Sequence, residues 1–527
     1  MSFPYDTPSP APPRFRRGGP PLRQDRVVLV LFGVGLLVTV GFALGIALGV
    51  RGDDITILAL AMLTFYLACI PLSVDQGRLP AYRHIFMSLL AVVFILYYVI
   101  PALVIFIPAE RPIDVAGLGL SAVTDPDVID GQMVVLVGLI TLLVTYALPL
   151  GRNLGARLPV PVWEWPPRVA LIAGTGMVGL GWSITVGSVL GLIPRELGTG
   201  VIGTLGVAET YANVLLTYLA VRYRMRAAIV VVVLNCVAGG AIGLLTSGKE
   251  RALIGPAMVA LTWIIMTRRI RARWVLGGIL AIVLIYPVSG FIRGARSQGV
   301  PMMQLIGSPF KTLGMVATFV GNASPAEYFG DGLSSTAIRT DGLGVTSVLV
   351  RDTPSRSPFQ NGSTVALFFV SFVPRALWPG KPNIQLGKWI ASTYGAGKSI
   401  EEASYIAPTQ IGEWYINFGV WGVMLGMFLI GLIVRICQES LLQGRGTAAS
   451  MLVTSVFLYL LTRKFQGSVA GAYSEIVFTI TPILLTHFAF RFAGIAYRID
   501  PGAGEIGPSR SAPLQGAPGP EPRFRTT

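Results

Sequence analysis

Apolar residues in this chain gather into runs of about twenty, separated by shorter polar stretches. A run of that length crosses the ~30 Å hydrocarbon core of a bilayer as a single helix. The pattern predicts helices at 27–50, 55–72, 84–107, 131–150, 169–192, 204–222, 227–246, 251–267, 274–291, 411–436, 447–463 and 470–492. Only a short basic turn separates 204–222 from 227–246, and 447–463 is short and ends at Arg463. The expected fold is therefore all-α: a polytopic transmembrane bundle of about twelve helices with one long loop, 292–410.

Composition agrees with a membrane protein. Hydrophobic residues make up 53% of the chain and charged residues 13%, where a soluble domain carries about a quarter charged. Mean hydropathy is +0.67. Residues 1–26, rich in Pro and Arg and without an apolar core of their own, read as a cytoplasmic tail. Residues 493–527 read as a Pro/Gly-rich disordered tail. Between the tails lie helices one to nine (27–291), the loop (292–410) and helices ten to twelve (411–492).

Lysine and arginine set the expected orientation. With the N-terminus cytoplasmic, the inner segments hold 24 of the 41 Lys and Arg, the short outer loops 7 and the long loop 10. Arg222, Arg224 and Arg226, then Arg268, Arg269, Arg271 and Arg273, mark inner turns, while Asp114, Asp125, Asp127 and Asp130 suit the outer side. Both termini are thus expected in the cytoplasm, and loop 292–410 outside it. The net charge of +15 then reads as topology signal beside anionic lipid and calls for no nucleic-acid partner.

The outer loop contains "FVPRALWPGKPN" (372–383), in which Arg375 and Lys381 are held between prolines and Trp378. The preceding run, 364–373, is too short to span and reads as a re-entrant or interfacial segment. Charges within the helices are few and collect at the expected outer ends: Glu209, Glu250 between Lys249 and Arg251, Arg293 and Arg296 after helix nine, Glu413 and Glu475. Ionisable residues in a membrane are costly and mark function by default. The set suggests an outward-facing cavity of cations around carboxylates. The plainer readings are ion pairs locking helix ends together and cations snorkelling beside a Trp belt.

Arginine forks fit phosphate oxygens in pairs, so converging Arg and Lys suit a pyrophosphate, and a nearby carboxylate suits general-base work on a hydroxyl. On the outer face of a bacterial membrane this points to a polyprenyl-pyrophosphate-linked sugar and to glycosyl transfer. Glu413 is placed as the base, with Arg375 and Arg293 at the leaving pyrophosphate. Lys249, Arg251, Arg296, Lys381, Glu209 and Glu475 would bind pyrophosphate and sugar. His84 and His487 fall near the inner face, and Cys69, Cys236 and Cys437 lie in apolar runs where they read as packing residues. No zinc spacing appears, and "TSGKER" lacks the full phosphate-loop pattern. Neither a metal nor a cofactor is expected. "TDPDVID" (124–130) holds an Asp-x-Asp pair but reads as a solvated acidic loop.

The stretches "FVPRALWPGKP", "APTQIGEWYINFGVWGVMLGMFLIGLIVR" and "LLTSGKERALIGPAMV" resemble bacterial polysaccharide repeat-unit polymerases of the Wzy type, over roughly residues 30 to 495. The resemblance implies a many-helix membrane enzyme with a large outer loop that joins lipid-pyrophosphate-linked repeat units into a chain without a metal. The family's basic residues map onto Arg251, Arg293, Arg375 and Lys381. The related O-antigen ligases use a histidine in the long outer loop, and 292–410 contains none, which favours the polymerase. A chain-length regulator and a flippase are the protein partners this implies. Two other classes stay open: a transporter or flippase of lipid-linked sugars, and a non-catalytic component of an envelope assembly complex. The topology is directly testable. A reporter fused within 300–360 is expected to behave as extracytoplasmic and one after residue 500 as cytoplasmic, and the reverse result removes the outer-site argument.

Overall fold

The computed structural model describes residues 52–73, 84–104, 123–158, 162–189, 191–192, 205–245, 249–267, scattered positions from 277 to 292, 309–322, 341–373, 377–378, 380–382, 386–395, 405–442 and 446–498. Among these, nine helices are long and apolar enough to cross a membrane. Each coincides with one of the apolar runs read from the sequence. Of the other three runs, 27–50 lies outside the described residues, 274–291 lies largely outside them, and 204–222 forms a helix too short for that class, Ala208–Arg222.

In chain order the helices are α1 (Gly52–Ser73), α2 (Ile85–Val104), α3 (Asp125–Ala147), α4 (Pro149–Arg157), α5 (Pro167–Val189), α6 (Ala208–Arg222), α7 (Arg226–Leu245) and α8 (Lys249–Thr267). Then follow α9 (Pro309–Asn322), α10 (Gly342–Asp352), α11 (Ser363–Ser371), α12 (Leu386–Tyr394), α13 (Gln410–Leu442), α14 (Ala448–Arg463) and α15 (Val469–Phe492). A π-turn at Ile95–Val99 interrupts α2 just before Pro101, whose ring supplies no N–H to the ladder. The "TDPDVID" stretch, expected as an acidic loop, instead opens α3. Asp127 accepts from the Thr124 backbone N–H at 2.8 Å and hydroxyl at 2.7 Å, a carboxylate at a helix N-terminus where the free amides favour it.

Two helices organise the packing. α3 lies against α1, α10 and α13, while α6 lies against α5, α7, α8 and α14. Every residue of α6 from Ala208 to Leu219 is buried, so this helix has no lipid face over that stretch. Its C-terminal end is tied down at what we term the lower end of the bundle. There a two-stranded antiparallel sheet, β1 (Trp163–Glu164) with β2 (Tyr497–Arg498), sets Trp163 beside Arg498. Glu164 is fully buried. Its carboxylate takes the Tyr218 hydroxyl on one oxygen, and the backbone N–H groups of Trp165 (2.9 Å) and Ala448 (3.1 Å) on the other. Ala448 opens α14, so Glu164 serves as an anion at that helix's N-terminus.

α13 is not one straight helix. Phe418 (φ −141°) and Gly419 (φ +63°, ψ −149°) break it, and the 410–417 arm folds back along the 420–442 arm. A Cβ at Gly426 would lie 2.3 Å from the Trp414 ring, and one at Gly422 2.2 Å from the Trp414 carbonyl oxygen. Residues eight and twelve positions apart meet this closely only across a hairpin, since a continuous helix rises 1.5 Å per residue. The sequence "GVWGVMLG" thus supplies Gly422 and Gly426 as the groove that receives Trp414.

Within the span expected as one long loop, 292–410, α10 and α12 carry their own apolar cluster of Val345, Val348, Leu349, Leu386, Ile390 and Tyr394, continuous with Ile416 on the short arm of α13. The segment expected at 364–373 is α11, which packs on α13 and α15, with Phe372 against Phe478 at a ring separation of 5.4 Å. The hairpin gives a stability test. Gly426→Val forces the Trp414 ring out of its groove and is expected to cost about 1–3 kcal/mol, read as a lower melting temperature of the purified protein in detergent. Adding Trp414→Ala to the same chain is expected to recover most of the loss, and no recovery would mean that the two do not share the groove.

Candidate functional site

The opposite, upper end of the bundle is formed by the turn between α14 and α15, the start of α8 and the short arm of α13. Thr409, in a left-handed conformation (φ +59°), donates its N–H to the Gln466 carbonyl at 2.8 Å. Gln410 Nε2 donates to the carbonyls of Lys464 (3.4 Å) and Gly467 (3.2 Å). These bonds fix the arm on the α14–α15 turn. One helical turn on, Glu413 is fully buried, and its Oε2 accepts from the Val469 N–H at 2.6 Å. Val469 is the first residue of α15, so the carboxylate sits at a helix N-terminus where anions are stabilised. The Thr364 hydroxyl is a further hydrogen-bonding neighbour of this carboxylate, and Gln410 Oε1 is buried without a hydrogen-bond partner. A small hollow of about 10 Å³ is lined by Gln410, Lys464, Phe465 and Tyr473 among others.

Cations and carboxylates line the same end. The Arg463 guanidinium pairs with Glu250 and, at 3.0 Å, with Glu475. Lys464 Nζ reaches the second oxygen of Glu475 at 2.5 Å. The Tyr459 hydroxyl donates to Glu250 at 2.6 Å, and Arg463 stands over the Tyr459 ring at 5.9 Å. Next along, Arg251 pairs with Glu209 at 3.1 Å, donates to the Thr185 hydroxyl at 2.6 Å and stacks on Trp182 at 5.5 Å. Asn235 braces this pair: its Nδ2 donates to the Glu209 carbonyl (2.6 Å) and to Asn213 Oδ1 (3.0 Å), while its Oδ1 accepts from Trp182 Nε1 (2.7 Å). Glu209 Oε2 remains buried without a hydrogen-bond partner. Gly181 makes room for Glu209, since a Cβ there would lie 2.4 Å from Oε2.

The expected site residues therefore divide into groups. Glu209 and Arg251 are brought together, and Glu475 joins a cation cluster. Glu413 reaches the turn on which that cluster stands. Lys249 opens α8 beside them. Lys381 is elsewhere employed: its ammonium donates to the carbonyls of Ser371 and Val373, both at 2.9 Å, closing the C-terminal end of α11. Arg293, Arg296 and Arg375 lie outside the described residues. Sequence reasoning missed Arg463 and Lys464 as members of the cluster, although two adjacent cations ending an apolar run were the available signal. It also missed Gln410, Trp182 and Asn235, which are single polar or aromatic positions in apolar helices and carry no spacing signature.

The Arg251–Glu209 pair yields a test. Glu209 is the deeply buried member, with its side chain 6% exposed against 32% for Arg251. Arg251→Met leaves a buried carboxylate without its cation and is expected to cost about 3 kcal/mol, read by thermal unfolding. Arg251→Met with Glu209→Gln removes both charges and is expected to be the more stable of the two variants.

A family model described as a domain of unknown function, DUF8712, matches residues 211–491, the stretch from α6 to the end of α15. No curated protein and no solved structure matches the chain.

Proposed function

This chain belongs to the DUF8712 family, and we propose that it is a membrane glycosyltransferase. Its substrate in this reading is a polyprenyl-pyrophosphate-linked oligosaccharide. The enzyme would polymerise such repeat units into a surface polysaccharide on the outer face of a bacterial plasma membrane, with both its termini cytoplasmic. The observation that carries the reading is Glu413: a buried carboxylate anchored on the α15 N-terminus, on the arm whose Gln410 binds the α14–α15 turn that carries Arg463 and Lys464.

In this mechanism the acceptor sugar hydroxyl gives its proton to Glu413 as its oxygen attacks the anomeric carbon of the donor. The new carbon–oxygen bond forms as the bond from that carbon to pyrophosphate breaks, and the electron pair leaves on the lipid pyrophosphate. Val469 N–H holds Glu413 in place throughout. Arg251, Arg463 and Lys464 already face carboxylates, so their role is to set the local field and orient sugar hydroxyls. The leaving pyrophosphate falls to Arg293, Arg296 and Arg375. A flippase and a chain-length regulator are the partners such a reaction calls for.

One observation favours a second reading. Transporters place their sites on discontinuous helices, and α13 is broken five residues after Glu413. Presenting a lipid-linked oligosaccharide to the purified protein in detergent micelles separates the two. Micelles have no sides, so a transporter leaves the substrate unchanged while a polymerase lengthens it. Glu413→Gln is expected to keep the protein at normal membrane level and to abolish lengthening. Arg375→Lys keeps the charge but loses the fork, and the rate is expected to fall about a hundredfold. Wild-type rates from either variant would remove that residue from the mechanism.

A further inference from the structure

The lower end of the bundle carries a second cluster that the proposed reaction does not use. β1 and β2 bring Trp163 opposite Arg498 and Glu164 opposite Tyr497. Arg491, near the end of α15, stands over the Trp163 ring at 5.1 Å. Arg222, in the last turn of α6, lies 5.9 Å from the Tyr218 ring centre and 5.8 Å from that of Tyr223. Arg224 and Arg226 follow at once, both exposed, and Arg168 is exposed in the first turn of the adjoining α5. The carboxylate at the centre, Glu164, is already saturated by Tyr218, Trp165 and Ala448. Among the described residues no carboxylate forms an ion pair with Arg491 or Arg498. Among the described residues this end therefore sets Arg491 on an aromatic face and Arg498 beside it, neither with a carboxylate partner.

We propose that this cluster binds the phosphodiester headgroup of an anionic glycerophospholipid, with Arg491 and Arg498 as the phosphate-contacting residues and Trp163 and Tyr497 as the walls at headgroup level. Charge selects an anion, and the guanidinium fork suits a phosphodiester. What selects a lipid rather than a soluble anion is the surface that leads to the cluster. Along α15, Leu484, Phe488 and Phe492 recur every four residues and are 41%, 44% and 86% exposed, so they form one apolar stripe that ends beside Arg491. The opposite face of the same turns is used internally, with His487 accepting from Trp165 Nε1 at 3.2 Å and Phe490 packed edge-on against Trp165. An acyl chain laid on the stripe brings its phosphate to Arg491. Basic clusters between or beside membrane helices recognise headgroups in this way, and interfacial Trp and Tyr mark the same depth. The bound lipid would link α15 to β1, and through Glu164 to the start of α14.

The test uses the full chain in detergent at low salt, with phosphatidylglycerol or phosphatidylcholine of matched acyl chains added in turn. Native mass spectrometry counts retained lipid, and thermal unfolding measures stabilisation. The wild type is expected to retain phosphatidylglycerol preferentially. Arg491→Gln and Arg498→Gln are each expected to lower that preference about fivefold, and Lys311→Gln on α9 is expected to leave it unchanged. Because Arg491 and Arg498 are exposed, the variants are expected to unfold near the wild-type temperature without lipid, so a fall in preference reports binding. No preference for phosphatidylglycerol in the wild type, or full preference in the double variant Arg491→Gln/Arg498→Gln, overturns the proposal. The readout is independent of glycosyl transfer, so either conclusion can fail alone.

Discussion

A helix that turns back on itself within an apolar bundle frees carbonyls and amides that lipid cannot satisfy, and the break in α13 depends on how those groups are re-paired. The partners come from the loop that precedes α11. Gln360 N–H donates to the Ile416 carbonyl at 2.8 Å, and Asn361 N–H to that of Asn417 at 3.2 Å. The Asn417 side chain completes the join: Oδ1 accepts from Gly362 N–H (2.8 Å), while Nδ2 donates to Thr364 Oγ1 and to the Glu413 carbonyl (both 2.7 Å). An unpaired buried amide or carbonyl costs several kcal/mol in such surroundings, so hairpin and loop stabilise each other. The position of Glu413 follows from this, because the short arm is held at one end by Asn417 and at the other by Gln410 on the α14–α15 turn.

Electrostatics at the upper end grades from dry to wet. Glu209 lies deepest, at 6% side-chain exposure. Glu475 with Lys464 is intermediate, at 27% and 25% side-chain exposure, and Glu250 reaches 52%. Each of these carboxylates faces a cation, whereas Glu413 faces a backbone amide at a helix N-terminus and the Thr364 hydroxyl. Attraction between charges strengthens as water is excluded, so the inner pair is the more rigid and the outer cluster the easier to rearrange. An incoming anion competes with Glu250 and Glu475 for Arg463 and Lys464.

The long apolar runs could be read from sequence because the bilayer imposes their length, and among the described residues ten of them reappear as helices, nine of these long enough to span. The cap of α3 is encoded in "TDPD", where Thr124 and Asp127 are three apart around a proline, although the same residues read as an acidic loop. The break in α13 was hidden, since "EWYINFGVWGVMLG" is apolar on both sides of it and a single Gly inside an apolar run does not announce a reversal. The β1–β2 pairing joins two-residue strands more than three hundred positions apart, which no local pattern encodes. At the candidate site, carboxylates and cations stood out because charge is rare in these helices. Their partners Trp182, Asn235 and Gln410 did not, because one polar residue in an apolar helix becomes informative only when its neighbour in space is known.

Helix length ties these features together. α6 has 15 residues, so at 1.5 Å per residue it rises roughly 22 Å, short of a ~30 Å hydrocarbon core. A helix that short, buried from Ala208 to Leu219 among its neighbours, places polar end groups inside the bundle. The polar groups at its ends must be satisfied there. Glu209 at the start of α6 and Glu164 against its last turns and against the start of α14 are such buried groups, whereas Arg463 and Lys464 at the end of α14 are 34% and 25% exposed. The 410–417 arm of α13 meets the α14–α15 turn through Gln410, and Glu413 is fully buried although it lies near the start of its helix.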